Sequence, residues 1–315
     1  MITVSEYLKE KYGCKVYKIA ISADVTCPNR DGKIGYKGCI FCSAGGSGEF
    51  AASKNKSIKD QINDAKNKIN SKINNGKYIA YFQNFTNTYA PIEYLRKIYY
   101  EAINEPDVEI LSIATRPDCI SQQVLNLLSE INEIKPVWVE LGLQTIHKSS
   151  ADYIRRGYDL DVYDQAVNDL RKRNIDVIVH VILGLPGESI DDMVETVKYV
   201  VNSGASGIKL QLLHVLKGTD LEKEYEAGKF KTMTMDEYIN LLKVLKQYIP
   251  DKVIVHRLTG DGPKKLLIAP KWSADKKKVL NTINKEILGK WAKYSHVSML
   301  QIINQHKWIM LLNEL

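Results

Sequence analysis

Short apolar runs rich in β-branched and aromatic residues alternate with longer stretches of helical periodicity along most of this 315-residue chain. The runs 15–23 (KVYKIAISA), 78–84 (YIAYFQN), 108–115 (VEILSIAT), 136–143 (PVWVELGL), 177–185 (VIVHVILGL) and 207–215 (GIKLQLLHV) read as strands. Helices are expected between them near 56–74, 91–104, 121–133, 161–173 and 189–203. Alternation of this kind implies an α/β protein with a parallel sheet and right-handed crossovers over its outer face. Six such units make a partial (β/α)6 TIM-like barrel or a doubly wound sheet. Either fold places its chemistry at the carboxyl ends of the strands.

The segments that follow the strands carry the polar and glycine-rich residues. They are a cysteine loop, then FQNFTNTYA, TRPDC, GLQT, GLPGES and HVLKGT. Any one of them reads as an ordinary loop, but all six fall on the same rim, and glycine there lets a ligand approach the backbone closely. Residues 1–250 thus form a core domain. Residues 251–290 form an appendage with one more strand (KVIVHRL), a Gly/Pro turn (TGDGP) and a basic helix; residues 291–315 read as a tail helix of unassigned role.

Charge changes the picture only locally. The chain carries +7 in all, yet residues 251–290 alone hold ten Lys or Arg against four acids. Lys264, Lys265, Lys276, Lys277 and Lys278 are therefore candidate contacts to a polyanion such as RNA, with a solvated helix face as the plain alternative. No apolar run approaches the roughly 20 residues of a membrane-spanning helix. The polar, charged start MITVSEYLKEKYG does not read as a signal peptide, so a cytoplasmic location is expected.

Five cysteines occur, and three of them, Cys27, Cys39 and Cys42, make a C-x11-C-x2-C loop. An odd count and a reducing compartment argue against disulfides and for a metal. Zinc in a structural site is almost always four-coordinate, so a zinc reading needs Cys14, Cys119 or a histidine besides. A cubane iron–sulfur cluster held by three cysteines leaves one iron open. Spacing favours the cluster and leaves zinc as an alternative.

The cysteine loop with Phe41 inside CIFC, placed after a first strand, resembles the radical S-adenosylmethionine superfamily. With FQ-x-x-TNTYA, TRPD, ELGLQT, RRGYD and ILGLPGE it is similar to the YtqA/YhcC-like branch, relatives of the radical domain in the catalytic subunit of Elongator. Tyr158 in RRGYD stands where relatives read histidine. The resemblance implies that Cys27, Cys39 and Cys42 ligate a [4Fe-4S] cluster whose open iron takes S-adenosylmethionine. One electron, from a donor such as flavodoxin or ferredoxin, then yields a 5′-deoxyadenosyl radical. Gln83, Thr86, Asn87 and Thr88 would lie by the methionine amino group, Arg156 by its carboxylate, Gln144 by the ribose, and Leu185 and Gly187 beside the adenine. Phe41, Arg116 and Glu140 complete the expected cofactor surroundings, and Tyr89, His214 and Lys217 are candidates to meet substrate.

The same resemblance implies tRNA as partner and, as substrate, the wobble uridine, in the maturation of 5-carboxymethylaminomethyl to 5-aminomethyl uridine. Radical modification of a small metabolite or protein is a second reading. A non-enzymatic, zinc-stabilised RNA-binding protein is a third.

Overall fold

A computed structural model describes residues 1–290 apart from 47, 49–50, 52–53, 71–75 and 261. The expected tail helix over 291–315 lies outside the described residues, as does Asp261 of the TGDGP turn. All six expected strands form: β1 (Val16–Ile21), β2 (Lys77–Phe82), β3 (Val108–Thr115), β4 (Val137–Gln144), β5 (Asp176–Leu183) and β6 (Gly207–Leu212). A helix or helix pair follows each of the first five: α2 (Ile58–Asn70), α3 (Ile92–Ile103), α4 (Gln122–Asn132), then α5 (Lys148–Tyr153) with α6 (Leu160–Arg171), and α7 (Ile190–Asn202). Ser121 and Ser189 cap α4 and α7 by accepting from the amides of Val124 and Asp192, which fixes where those helices begin.

The sheet has one strand more than expected. β8 (Ile254–Arg257), which the sequence placed in the appendage, pairs parallel with β6 and makes the order β1-β2-β3-β4-β5-β6-β8. Between β6 and β8 run β7 (Val215–Leu216), α8 (Asp220–Glu226) and α9 (Met235–Lys246). After β8, β9 (Leu267–Ala269) pairs antiparallel with β7, and α10 (Lys276–Glu286) closes the described chain. The β7–β9 pair ties the appendage to the loop that follows β6. Trp272, whose indole donates to the Met233 carbonyl at 2.9 Å, ties it to the start of α9.

The parallel sheet is curled, and side chains from β1, β3, β5 and β6 all bond one carboxylate on β4, Glu140. Inward positions follow the two-residue period of the strands. The lowest inward layer is apolar: Ile79, Ile110, Trp138 and Ile178 pack on Leu8 of α1 (Val4–Tyr12), which plugs the bottom of the half-barrel. Two residues further along, the layer becomes polar, with Tyr81, Ser112, Glu140 and His180. Its upper side opens into a cavity. Among the described residues no helix is long and apolar enough to cross a membrane.

Candidate active site

The cavity measures about 800 Å³ and lies inside the curl, between the cysteine loop and the β7–β9 side of the appendage. That volume is in the range of small-molecule and cofactor sites. Cys27, Cys39 and Cys42 all line it. Their loop is held by named contacts: Asn29 donates to Cys39 Sγ at 3.4 Å and to the Arg155 carbonyl at 2.8 Å, and Arg30 donates to the carbonyls of Cys42 and Ser43. Ile40 bonds backbone to backbone with Ile154, and Leu221 with Ile40. Gly157 has φ +81°, and a Cβ there would sit 2.9 Å from Asn29 Oδ1. The segment after α5 can therefore close on the cysteine loop only with glycine at this position.

Burial, then the neighbouring Cys42, push the Cys39 thiol up to about 11. Three sulfurs so placed favour a metal centre that supplies the missing positive charge. Their spread fits a cluster better than a single ion. Tetrahedral zinc with Zn–S of about 2.3 Å sets sulfurs ~3.8 Å apart. Among the described residues, the His, Cys, Asp and Glu ligand atoms that converge within 4.8 Å are those of His147, Asp192 and Glu195, and not the three cysteines.

Above the cysteines, Phe41 and Leu185 join an apolar wall with Ile40, Ile154, Ile182 and Leu213. Gln144 ends β4 with φ +72°, where the β4–β5 register shifts. Its side chain lies over Gly142, whose Cβ would meet Gln144 Nε2 at 2.9 Å. Gln144 Oε1 and Thr86 Oγ1 line the same cavity, buried and without a hydrogen-bond partner among the described residues. Orphaned buried acceptors are costly. A polyhydroxylated, amine-bearing ligand such as S-adenosylmethionine satisfies both. The residues present thus fit both groups.

The structure also separates residues that the sequence grouped together. Gln83, Thr86, Arg116, Gln144, Arg156 and His214 reach the cavity wall. Asn87 instead bonds the carbonyls of Phe82, Asn84 and Ala114, and Thr88 bonds Thr115 and the Cys119 carbonyl, so both staple the β2 loop to β3. Tyr89 lines a separate, smaller pocket with Lys33 and Cys119. Leu185 is core, and Gly187, with φ +88°, shapes the turn before α7 without lining the cavity. Lys217 is exposed beyond β7 and outside the cavity.

Arg156, 4% exposed, donates to the carbonyls of Leu143, Thr145 and Tyr158. The Arg116 and Arg156 guanidiniums both lie against the Tyr158 ring, at 5.2 and 4.6 Å, and the Tyr158 hydroxyl donates to the Gly142 carbonyl at 2.5 Å. Burial raises its pKa, which suits a fixed brace better than proton transfer. Of the five lysines singled out in the appendage, all exposed, Lys264 and Lys276 border the cavity; Lys265, Lys277 and Lys278 do not.

At the cavity floor stands a charged network only part of which was legible in the sequence. Glu140 is fully buried; its Oε1 accepts from Lys18 and Ser112, both at 2.7 Å, and its Oε2 from His180 at 2.8 Å and from Lys209. Burial alone would raise the Glu140 carboxyl; Lys18, then Lys209 and His180, outweigh it and hold the group ionised. The Lys18 ammonium lies 4.3 Å and the Lys209 ammonium 4.6 Å from the Tyr81 ring centroid. Lys18, Lys209 and Arg257 are the functional candidates that sequence reasoning passed over. A lysine at an inward position of an otherwise apolar strand was the available signal.

His180 is pushed down to about 4, by burial first and then by Lys209, with Glu140 pulling the other way. It is neutral when folded but protonates below its ordinary pKa of about 6.5 when unfolded. Stability from this group is therefore present above pH 6.5 and is lost as pH falls toward 4. Urea midpoints between pH 7 and 4 are expected to drop, and His180→Asn should make the dependence shallower; an unchanged profile in the variant contradicts this.

Residues 27–200 match the Radical SAM superfamily and residues 205–288 the Radical_SAM C-terminal domain. The chain is 48% identical to the uncharacterised protein YtqA of Bacillus subtilis, over 90% of this chain and 88% of that protein. It is 36% identical to protein YhcC of Escherichia coli, over 84% and 85%. A solved structure of the archaeal Methanocaldococcus infernus Elp3, lacking its N-terminus, superposes with a TM-score of 0.62 at 20% identity, covering 86% of this chain and 63% of that one. The curled parallel half-barrel is thus the fold of that structure. The chain belongs to the radical S-adenosylmethionine superfamily, and its cofactors are a [4Fe-4S] cluster and S-adenosylmethionine.

Proposed function

We propose that this enzyme modifies the wobble uridine of tRNA, in the maturation of 5-carboxymethylaminomethyl to 5-aminomethyl uridine. The observation that carries the reading is the position of the basic appendage: Lys264, in the turn before β9, and Lys276, the first residue of α10, both border the cofactor cavity. Phosphates gripped there would leave a base facing inward. A relative over half of this chain, 26% identical, is named tRNA uridine(34) acetyltransferase of Methanocaldococcus infernus. An anticodon loop suits the geometry, because its bases are already unpaired and leave their stack cheaply.

In this reading Cys27, Cys39 and Cys42 hold the cluster, which with bound S-adenosylmethionine supplies a 5′-deoxyadenosyl radical. The protein supplies position and exclusion of water. Gln144 and Thr86 accept from the cofactor's hydroxyl and amino groups, Arg156 fixes the backbone around its carboxylate, and Phe41, Ile154, Ile182 and Leu213 form the apolar wall. His214, packed against Gly260 and Gly262 of the appendage turn, faces the substrate side. Gln144→Leu is expected to weaken S-adenosylmethionine binding about tenfold, the worth of one buried hydrogen bond of ~1.4 kcal/mol. Equilibrium dialysis checks it, and unaltered affinity removes Gln144 from the cofactor's surroundings.

Asp275 caps α10 by accepting from the Lys278 amide, so the cationic first turn has an acid of its own beside it. An external anion is therefore not needed to offset the helix dipole, and the RNA role of this turn rests on Lys276 at the cavity edge, with Lys277 and Lys278 exposed beside it. Replacing Lys276, Lys277 and Lys278 together with Gln should weaken binding across different tRNAs and flatten the salt dependence by about one unit of slope for each phosphate no longer neutralised. An unchanged slope would return α10 to a solvated helix. The function itself is tested by comparing tRNA nucleosides by mass spectrometry in cells with and without the gene. Loss of the gene should accumulate 5-carboxymethylaminomethyl uridine, and identical nucleosides would refute the reading.

A further inference from the structure

Between Cys27 and Cys39 the cysteine loop carries eleven residues, PNRDGKIGYKG, whose ends at Arg30 and Gly38 line the cofactor cavity while residues 31–37 do not. That tip is tied together by its own backbone. The Ile34 and Gly35 amides donate to the Pro28 carbonyl, the Gly32 amide to that of Gly35, and the Gly38 amide to that of Asn29. Gly32 has φ +94°, and a Cβ there would stand 2.7 Å from the Tyr36 ring, which lies over the bare backbone. An aromatic ring is thus held out toward solvent: Tyr36 is 81% exposed, and Ile34 beside it 44%. Of the large apolar side chains exposed among the described residues, these two alone share a loop. Scattered apolar residues on a surface are ordinary, whereas a fixed pair with a polar rim has the form of an interaction site. Lys33 and Lys37 flank the pair, both exposed and without an ion pair among the described residues. The Lys33 ammonium lies 5.2 Å from the Tyr89 ring centroid, at the edge of the second pocket, about 530 Å³, with Pro91, Ile92 and Ile120 in its wall. The acids nearby are engaged, Asp118 by two hydrogen bonds from Arg116 and Asp31 by the Lys33 amide.

We propose that this tip is the docking surface for an acidic protein that donates single electrons. The proposal rests on the cluster being held by Cys27, Cys39 and Cys42 and is independent of the RNA reading. Reductive cleavage of S-adenosylmethionine takes up one electron, and the donor is oxidised by one electron in supplying it. Cofactor and substrate fill the cavity side of the cysteines, so the electron has to arrive from outside. The tip is the stretch of chain that joins two of the three cysteines there, and a charge on Cys27 is felt at Tyr89 and Cys119 in the pocket wall. A donor seated on it is therefore close to the cluster. An apolar centre flanked by lysines complements an acidic face: the charges steer the encounter, and a contact of less than about 1,200 Å² lets the partner leave after transfer. RNA fits this face less well, because the lysines that border the cavity, Lys264 and Lys276, belong to the appendage on its other side.

The test uses the full-length, anaerobically reconstituted protein, with reduced flavodoxin as the protein donor and dithionite as a reductant that needs no docking. Release of 5′-deoxyadenosine is followed with each, and binding of fluorescently labelled flavodoxin is read by anisotropy. Tyr36→Ala should raise both the half-saturating flavodoxin concentration and the Kd about tenfold, as loss of an aromatic anchor does, and leave the dithionite-driven rate unchanged. Tyr36→Phe, which keeps the ring, should behave as the unaltered protein. Lys33→Glu with Lys37→Glu should weaken flavodoxin binding and flatten its salt dependence. Tyr36→Ala and the double lysine variant that match the unaltered protein in both flavodoxin readouts overturn the proposal. So does an equal loss with flavodoxin and dithionite, which would place the damage at the cluster, and so does turnover with dithionite that neither reduced flavodoxin nor reduced ferredoxin supports. Weakened binding of an anticodon stem-loop by Tyr36→Ala, with flavodoxin affinity unaltered, also overturns it and assigns the face to RNA.

Discussion

Replacing Cys27, Cys39 or Cys42 with Ala is expected to take the anaerobically reconstituted protein from about four iron per chain to essentially none, and to abolish cleavage of S-adenosylmethionine with it. The three sulfurs line one cavity on one loop, and that loop is fixed by Asn29 and Arg30 and not by the metal alone. The apoprotein should therefore stay folded when the cluster is lost. Cys14→Ala and Cys119→Ala should leave iron content unchanged, since neither lines the cavity. Iron and sulfide analysis with the visible absorption of the cluster reads all five variants. Retention of iron in Cys39→Ala, or stoichiometric zinc without iron in the unaltered protein, would contradict the assignment.

The second large effect is expected at Glu140, and it concerns folding before chemistry. Glu140→Leu leaves Lys18 and Lys209 facing an apolar interior without their shared anion, and removing one partner of a buried ion network costs about 3–5 kcal/mol. That is a large part of the stability of an ordinary domain, so the variant should unfold at far lower urea concentration or accumulate as insoluble protein. A compensated variant separates charge from shape. Glu140→Gln with Lys209→Met keeps hydrogen-bonding capacity for Lys18 and Ser112 while removing one cation, and should recover at least half of the loss. If the double variant is no more stable than Glu140→Leu, the network is not held by the charge balance described.

The alternation of strand and helix was legible because a parallel sheet buried on both faces leaves near-continuous apolar runs, and each of those runs from KVYKIAISA to GIKLQLLHV became a strand of the curl. The rim was legible for the same reason: the polar segments after the strands had to meet once the topology was fixed. Other features were hidden by distance in sequence. β8 belongs to the sheet because Ile254 and Val255 find the open edge of β6, a pairing with no local signature. TNTYA divides between roles because Asn87 spends its amide on three backbone carbonyls while Thr86, one residue earlier, points into the cavity. Lys209 stands out as a lysine inside the apolar run GIKLQLLHV, yet nothing in that run announces that Glu140, in another strand, faces it. Long-range charge pairing of this kind is invisible until the curl brings β4 and β6 to face one interior.

The most direct test of the account is to give the reduced, cluster-loaded enzyme S-adenosylmethionine and bulk tRNA from cells lacking the gene, then to digest that tRNA and analyse nucleosides and cofactor products together. The account predicts 5′-deoxyadenosine, with 5-carboxymethylaminomethyl uridine at the wobble position falling as 5-aminomethyl uridine rises. Wobble nucleosides left unchanged while 5′-deoxyadenosine is released, or S-adenosylhomocysteine as the sole cofactor product, would contradict it.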